Sequence, residues 1–160
     1  MKANPLTILA AGCMTMLLLP ACNDSTAKQT RSEATPPAQA AAPAFTGTVH
    51  EIKMNGTATS FFFDPKEVTI KQGDKVKWVM VAAGPHNVDF ASPAFPDKTK
   101  IPDGAKVRLE AQGALVAPLL QAPGQSTEIV FGKDMPLGEY NYVCDPHTPL
   151  GMVGKIIVTP

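Results

Sequence analysis

A cysteine, a histidine and a methionine crowd into nine residues near the end of this chain: Cys144-Asp145-Pro146-His147, then Met152. A second histidine, His86, stands far upstream in Gly84-Pro85-His86-Asn87. Thiolate and thioether are soft donors, and imidazole suits copper as well as zinc. Two imidazoles, one thiolate and a weak axial thioether form the donor set of a blue-copper electron-transfer site. Structural zinc takes four Cys or His ligands and does not normally use Met. Calcium and magnesium want oxygen. Iron–sulfur clusters want several cysteines. The expected cofactor is one copper ion, used in both oxidation states.

Cysteine parity supports that choice. The chain has three cysteines, Cys13, Cys22 and Cys144. Cys13 falls inside an apolar leader and Cys22 at its end, so Cys144 is the thiol left to the folded part. An odd cysteine in an exported protein is expected to be paired, reactive or metal-bound. A Cys22–Cys144 disulfide is the alternative, but it leaves His147 and Met152 beside the thiol unexplained. His50 reads as a structural or exposed histidine. Met54, Met80 and Met135 read as core filler, which is the usual role of methionine.

The donors must be positioned by strands. Residues 49–54, 60–63, 68–71, 75–81, 86–90, 127–131, 139–144 and 153–158 are β-like. Val76, Trp78 and Met80 alternate with Lys75, Lys77 and Val79, and Gln72-Gly73-Asp74 supplies a turn. Many short strands without long helices imply an all-β sandwich of about eight strands. Residues 92–124 are less regular, and Pro118 and Pro123 rule out a long helix there. Residues 105–111 fit a strand or a helical turn. One short helical turn is expected near residues 115–120, whose leucines and Val116 would cover the core. Pro146, Pro149 and Gly151 let the 144–152 loop curl so that its donors face one point. His86 must reach that point from another strand.

The rest of the chain sets the context. It has 160 residues, with 14 basic and 14 acidic side chains. No basic run suggests nucleic acid as a partner. Lys2 followed by the apolar run 6–19 has the form of an export signal, whose apolar core spans ~7–15 residues. That run falls short of the ~20 residues a spanning helix needs. Leu19-Pro20-Ala21-Cys22 resembles a bacterial lipoprotein signal, in which the cysteine becomes the lipidated first residue. Residues 23–45 are rich in Ala, Pro, Thr, Ser and Gln and cannot bury enough surface to fold. They read as a tether reaching roughly 25–30 Å on average. The expected organisation is a leader over 1–22, a tether over 23–45 and one domain over 46–160.

The segment GEYNYVCDPHTPLGMVGK, from Gly138 to Lys155, is similar to the C-terminal copper loop of plastocyanins. GPHNVDF, from Gly84, resembles the family's first-ligand segment, and PLLQAPGQSTEIVF, from Pro118, the strand leading toward the loop. The resemblance covers essentially all of 46–160. It implies a Greek-key cupredoxin sandwich. It also implies copper held by ring nitrogens of His86 and His147, the Cys144 thiolate and, weakly, Met152. Asn87 would brace the ligand loops. Pro85, Pro146, Pro149 and Leu150 are candidates for an apolar docking patch around His147; loop shaping is the alternative role of each. Two features depart from the plant pattern. Asp97, Lys98, Lys100, Asp103, Lys106, Arg108 and Glu110 give mixed charge where plant plastocyanins carry acidic clusters. Val143 stands where an exposed aromatic often precedes the cysteine.

The expected activity is one-electron transfer between a protein donor and a protein acceptor, by a monomer outside the cytoplasm, in the periplasm or cell envelope. Enzymatic chemistry is not expected. Four protein ligands leave no open metal position, and no GxSxG, Walker or HExxH motif is present. Copper buffering or delivery is the main alternative. A β-sandwich that binds a protein or glycan around a structural metal, and a copper domain feeding a larger oxidoreductase, are the others. If Cys22 carries the lipid, Cys22→Ser yields a soluble or unprocessed form on membrane fractionation. Unchanged processing and membrane association would refute lipidation.

Overall fold

The computed structural model describes residues 45–160. Cys22, the leader and the tether up to residue 44 lie outside the described residues. Seven strands form two sheets. They are β1 Val49–Gly56, β2 Phe61–Asp64, β3 Glu67–Lys71, β4 Asp74–Met80, β5 Ser126–Phe131, β6 Gly138–Val143 and β7 Val153–Thr159. One sheet has the order β2-β1-β4-β5 and the other β3-β7-β6. Pairing is parallel between β1 and β4 and between β3 and β7, and antiparallel elsewhere. The chain crosses between sheets at β2–β3, β3–β4 and β5–β6.

Side chains alternate across a strand, so a sandwich needs one apolar face per strand. Along β4, Val76, Trp78 and Met80 are buried, as their alternation predicts. Ile52 and Met54 on β1, Ile129 and Phe131 on β5, Tyr140 and Tyr142 on β6, and Ile156 and Val158 on β7 complete the core. Met54, Met80 and Met135 are core residues, as expected. Tyr142 lies edge-on to Trp78 at 5.5 Å and to Phe63 at 4.8 Å, joining the two sheets. Its cross-strand partner is Gly154, where any Cβ would collide with the Tyr142 ring. That close approach explains a glycine inside β7.

Two expectations are corrected. Residues 86–90 form isolated bridges instead of an eighth strand. His86 exchanges hydrogen bonds with Leu120, Val88 accepts one from Ala117 and Phe90 donates one to Leu115. Asp89 looks the other way and exchanges two with Val143. Consecutive residues therefore serve opposite neighbours, and neither side accumulates a ladder. The helical turn is not at 115–120, whose backbone is engaged by 86–90. It is α1, Ala105–Ala111, with Ala105 and Leu109 buried one turn apart and Lys106, Arg108 and Glu110 outward. Just beyond it, Gln112 caps the outer edge of β5. Its Nε2 donates to the Val130 carbonyl and its Oε1 accepts the Val130 N–H, both at 3.0 Å.

His50 is structural. Its Nε2 meets Asp74 Oδ2 at 2.8 Å. Asp74 also accepts the backbone N–H groups of Thr48 at 2.8 Å and Lys71 at 2.9 Å, which ties β1 to the β3–β4 turn. Burial pushes the Asp74 carboxyl up. The Lys71 and Thr48 amides and His50 outweigh it and hold the group below the ordinary carboxylate value. A depressed folded value means stability that is present above the unfolded value of about 3.9 and lost as pH falls through the folded one. Asp74→Ala is expected to cost about 1.5–3 kcal/mol at neutral pH, the scale of hydrogen bonds to a charged group. Denaturant melts at falling pH should show the gap from the parent narrowing below about pH 4. A gap independent of pH would exclude the charged carboxylate as its source.

Candidate metal centre

The site is built where β6 ends. Val143 closes the strand, and Cys144 opens a 3₁₀ turn, Asp145–Leu150, with Pro146 in its first turn. Proline suits that place because its missing N–H is not needed there. The Cys144 carbonyl accepts the His147 N–H at 2.9 Å and the Thr148 hydroxyl at 2.7 Å. Gly151 ends the turn at φ 88, a left-handed conformation that favours glycine. Met152 then closes the loop on itself. Its N–H donates to the His147 carbonyl at 3.2 Å, and its own carbonyl accepts the Cys144 N–H at 3.1 Å. Curling of this loop is thus written into its Pro, Gly and Thr residues.

His86 arrives from the bridged segment and completes a compact group. Cys144 Sγ is 3.6 Å from His86 Nδ1 and 3.4 Å from His147 Nδ1, and the two Nδ1 atoms are 3.2 Å apart. One ligand atom from each of the three residues lies within 4.8 Å of the other two. His86 and Cys144 are fully buried, and His147 is 9% exposed. Met152 is fully buried, and its backbone pairs with Cys144 and His147.

Local hydrogen bonds aim the donors. His86 Nε2 lies 2.9 Å from the Ala82 carbonyl. A carbonyl only accepts, so the His86 proton sits on Nε2 and Nδ1 presents its lone pair to the centre. Burial holds the imidazolium form of His86 down, partly offset by Ala82. His147 is held down by burial and then by His86. Burial pushes the Cys144 thiol up to about 11, against the backbone N–H groups of Asn87 and His147, which favour the thiolate. Two neutral imidazoles and a buried sulfur facing one point make a site that a cation completes. Metal binding there displaces the thiol proton. The donor spacings suit two bonds of about 2.0–2.3 Å to one first-row ion.

Asn87 faces Asp145 across the loop boundary. Its Nδ2 donates to Asp145 Oδ2 and its Oδ1 accepts the Asp145 N–H, both at 2.8 Å. Pro85, Pro146, Pro149 and Leu150 are all exposed, Leu150 at 58%. Leu119, next to the His86 partner Leu120, adds another exposed apolar side chain. The segments at this end, 57–60, 81–87, 117–125 and 145–151, carry one acidic group, Asp145, and no Lys or Arg.

Sequence reasoning missed four residues here. Phe61 stacks on His147 with ring centroids 3.8 Å apart and planes at 5°. It shares a strand face with Phe63, and that alternation was its only signal. Thr148 anchors the Cys144 carbonyl. Ser92 donates to Asp145 Oδ1 at 2.8 Å. Asp89 is 2% exposed, and nothing in its sequence context distinguishes it from a surface aspartate. Burial pushes its carboxyl up to about 6, the Ala91 N–H opposes this, and neighbouring Asp145 adds to it.

A family model described as copper binding proteins, plastocyanin/azurin family, matches residues 50–159. Plastocyanin of Synechococcus sp. (strain JA-2-3B'a(2-13)) is 44% identical over 107 residues, covering 67% of this chain and 71% of the relative. Plastocyanin of Nostoc punctiforme is 34% identical over 116 residues, covering 72% and 78%. Among solved structures, a mutant plastocyanin of fern aligns with TM-score 0.51 at 24% identity, over 69% of this chain and all of the other. That last likeness speaks for the cupredoxin fold alone. With residues 50–159 matched by the family model and two thirds of its length matched by these relatives, the chain belongs to the plastocyanin/azurin family of copper-binding proteins.

Proposed function

We propose that this domain is a blue-copper electron carrier in which His86, Cys144, His147 and Met152 hold the metal. The convergence of two Nδ1 atoms and one Sγ within 3.2–3.6 Å carries the proposal. Copper bound there supplies a one-electron couple, and the remaining work falls to the protein. Cys144 gives the thiolate, which the backbone N–H groups of Asn87 and His147 favour against burial. The Ala82 carbonyl keeps His86 in the right tautomer. Met152 would hold the metal weakly through its thioether, placed by its backbone pairing to Cys144 and His147. Asn87 braces the first-ligand segment against the loop. The closed 144–152 ring resists rearrangement when charge changes, and so lowers reorganisation.

The same geometry favours contact with a protein partner over chemistry on a small substrate. His147 is the one of the three clustered donors that reaches solvent, and Pro85, Pro146, Pro149, Leu150 and Leu119 surround this end with apolar surface. A protein donor and a protein acceptor would dock there in turn, and the domain itself performs no substrate chemistry. The domain works outside the cytoplasm, tethered through lipidated Cys22.

Adding Cu(II) to the full-length protein should give an intense blue centre with a reversible one-electron wave. Cys144→Ser should lose both, read by visible absorption and voltammetry. A variant that keeps the colour and the wave would overturn the ligand assignment. Slow electron exchange together with ready loss of copper to a chelator would favour copper delivery instead. A second test concerns the stacked ring. Aromatic pairs contribute about 0.5–1.5 kcal/mol beyond buried area. Phe61→Ala should therefore keep the blue colour and release copper to a chelator about 2- to 10-fold faster. An unchanged release rate would leave Phe61 a packing residue only.

A further inference from the structure

Asp145 follows the cysteine directly and is more tightly held than a turn residue requires. Its two carboxylate oxygens have separate donors. Asn87 Nδ2 reaches Oδ2 and the Ser92 hydroxyl reaches Oδ1, each at 2.8 Å. Ser92 is 2% exposed, so its hydroxyl has no bulk water to turn to. Asp89 brings a second carboxyl group close to Asp145. Asp89 is itself fixed, since its Oδ1 accepts the Ala91 N–H at 2.6 Å and its backbone pairs with Val143. Ser92 thus stands at the far end of the segment that begins with His86, and reaches back to the ligand loop.

We propose that Ser92 is a positioning residue for the copper centre, acting through Asp145 to fix the peptide that joins it to Cys144. The inference rests on the copper reading above. Asn87 alone leaves the Asp145 carboxylate free to pivot about one hydrogen bond. Ser92 pins the second oxygen, and so aligns the Asp145 N–H with Asn87 Oδ1. It also places the positive end of a hydroxyl dipole on a carboxylate beside the metal ligand. Removing that dipole exposes the centre to more negative field, which favours the oxidised ion. Partners of this kind, one shell out from a metal, typically change affinity by about 10–100-fold when mutated.

The test compares Ser92→Ala, Asp145→Ala and the double variant in the full-length protein. Ser92→Ala should lower the reduction potential and speed copper loss to a chelator by about tenfold. It should also speed hydrogen exchange at the Asp145 amide in metal-free protein. In the Asp145→Ala background, Ser92→Ala should change neither potential nor copper release further. Equal shifts in both backgrounds would overturn the proposal, because Ser92 would then act independently of Asp145. A lowered melting temperature with unchanged potential, copper release and Asp145 exchange would overturn it too, leaving Ser92 a stability residue. The metal-free exchange measurement decides the clamp even where copper fails to bind. Such a failure would count against the copper reading instead.

Discussion

Two reciprocal backbone hydrogen bonds between Asp89 and Val143, each 3.0 Å, hold the site together. They join the segment that begins with His86 to the strand that ends at Cys144. On its other side the same segment is stitched to 115–120 through His86, Val88 and Phe90. Buried backbone groups need partners, and this short extended piece finds them on both flanks. Everything downstream depends on that placement. His86 can face the 144–152 loop only because the register at Asp89 and Val143 is fixed. Asn87, one residue on, can meet Asp145 for the same reason.

The loop itself is a local solution and the rest is not. Gly, Pro and Thr residues, with backbone bonds from Cys144 to Met152 and from Met152 to His147, close it with partners inside nine residues. That is why its donors stood out in the sequence. The strands were legible for a similar reason, since Val76, Trp78 and Met80 announce a face by alternation alone. The 86–90 segment carries the same alternation, yet its neighbours differ on its two sides, which no local pattern encodes. Residues 115–120 read as a helical turn because leucines and a valine cluster there. Their backbone was already claimed by a distant partner. Phe61 looked like one more strand aromatic, and only the position of β2 brings it onto His147.

Burial and polarity are balanced with care at this end of the domain. Two groups that ordinarily seek water, His86 and Asp89, are sealed from solvent together with the Cys144 thiol. Each has a named partner: the Ala82 carbonyl for His86, the Ala91 amide for Asp89, and the two imidazole Nδ1 atoms for the Cys144 sulfur. Burial of such groups is tolerable when their hydrogen bonds are met. The apolar side chains Leu150 and Leu119 point the other way, into solvent. The inversion of the usual pattern marks this end as the working face of the molecule.

Gln112 shows how the opposite margin is finished. A single carboxamide occupies both hydrogen-bonding positions that Val130 offers on the outer edge of β5. It imitates, with one side chain, the pairing that another strand would bring. An open strand edge is a template on which a second chain can grow. Here one position of that template, at Val130, is already filled by the chain's own amide. A second copy approaching β5 would find the Val130 pair taken and could not run an unbroken ladder along that strand.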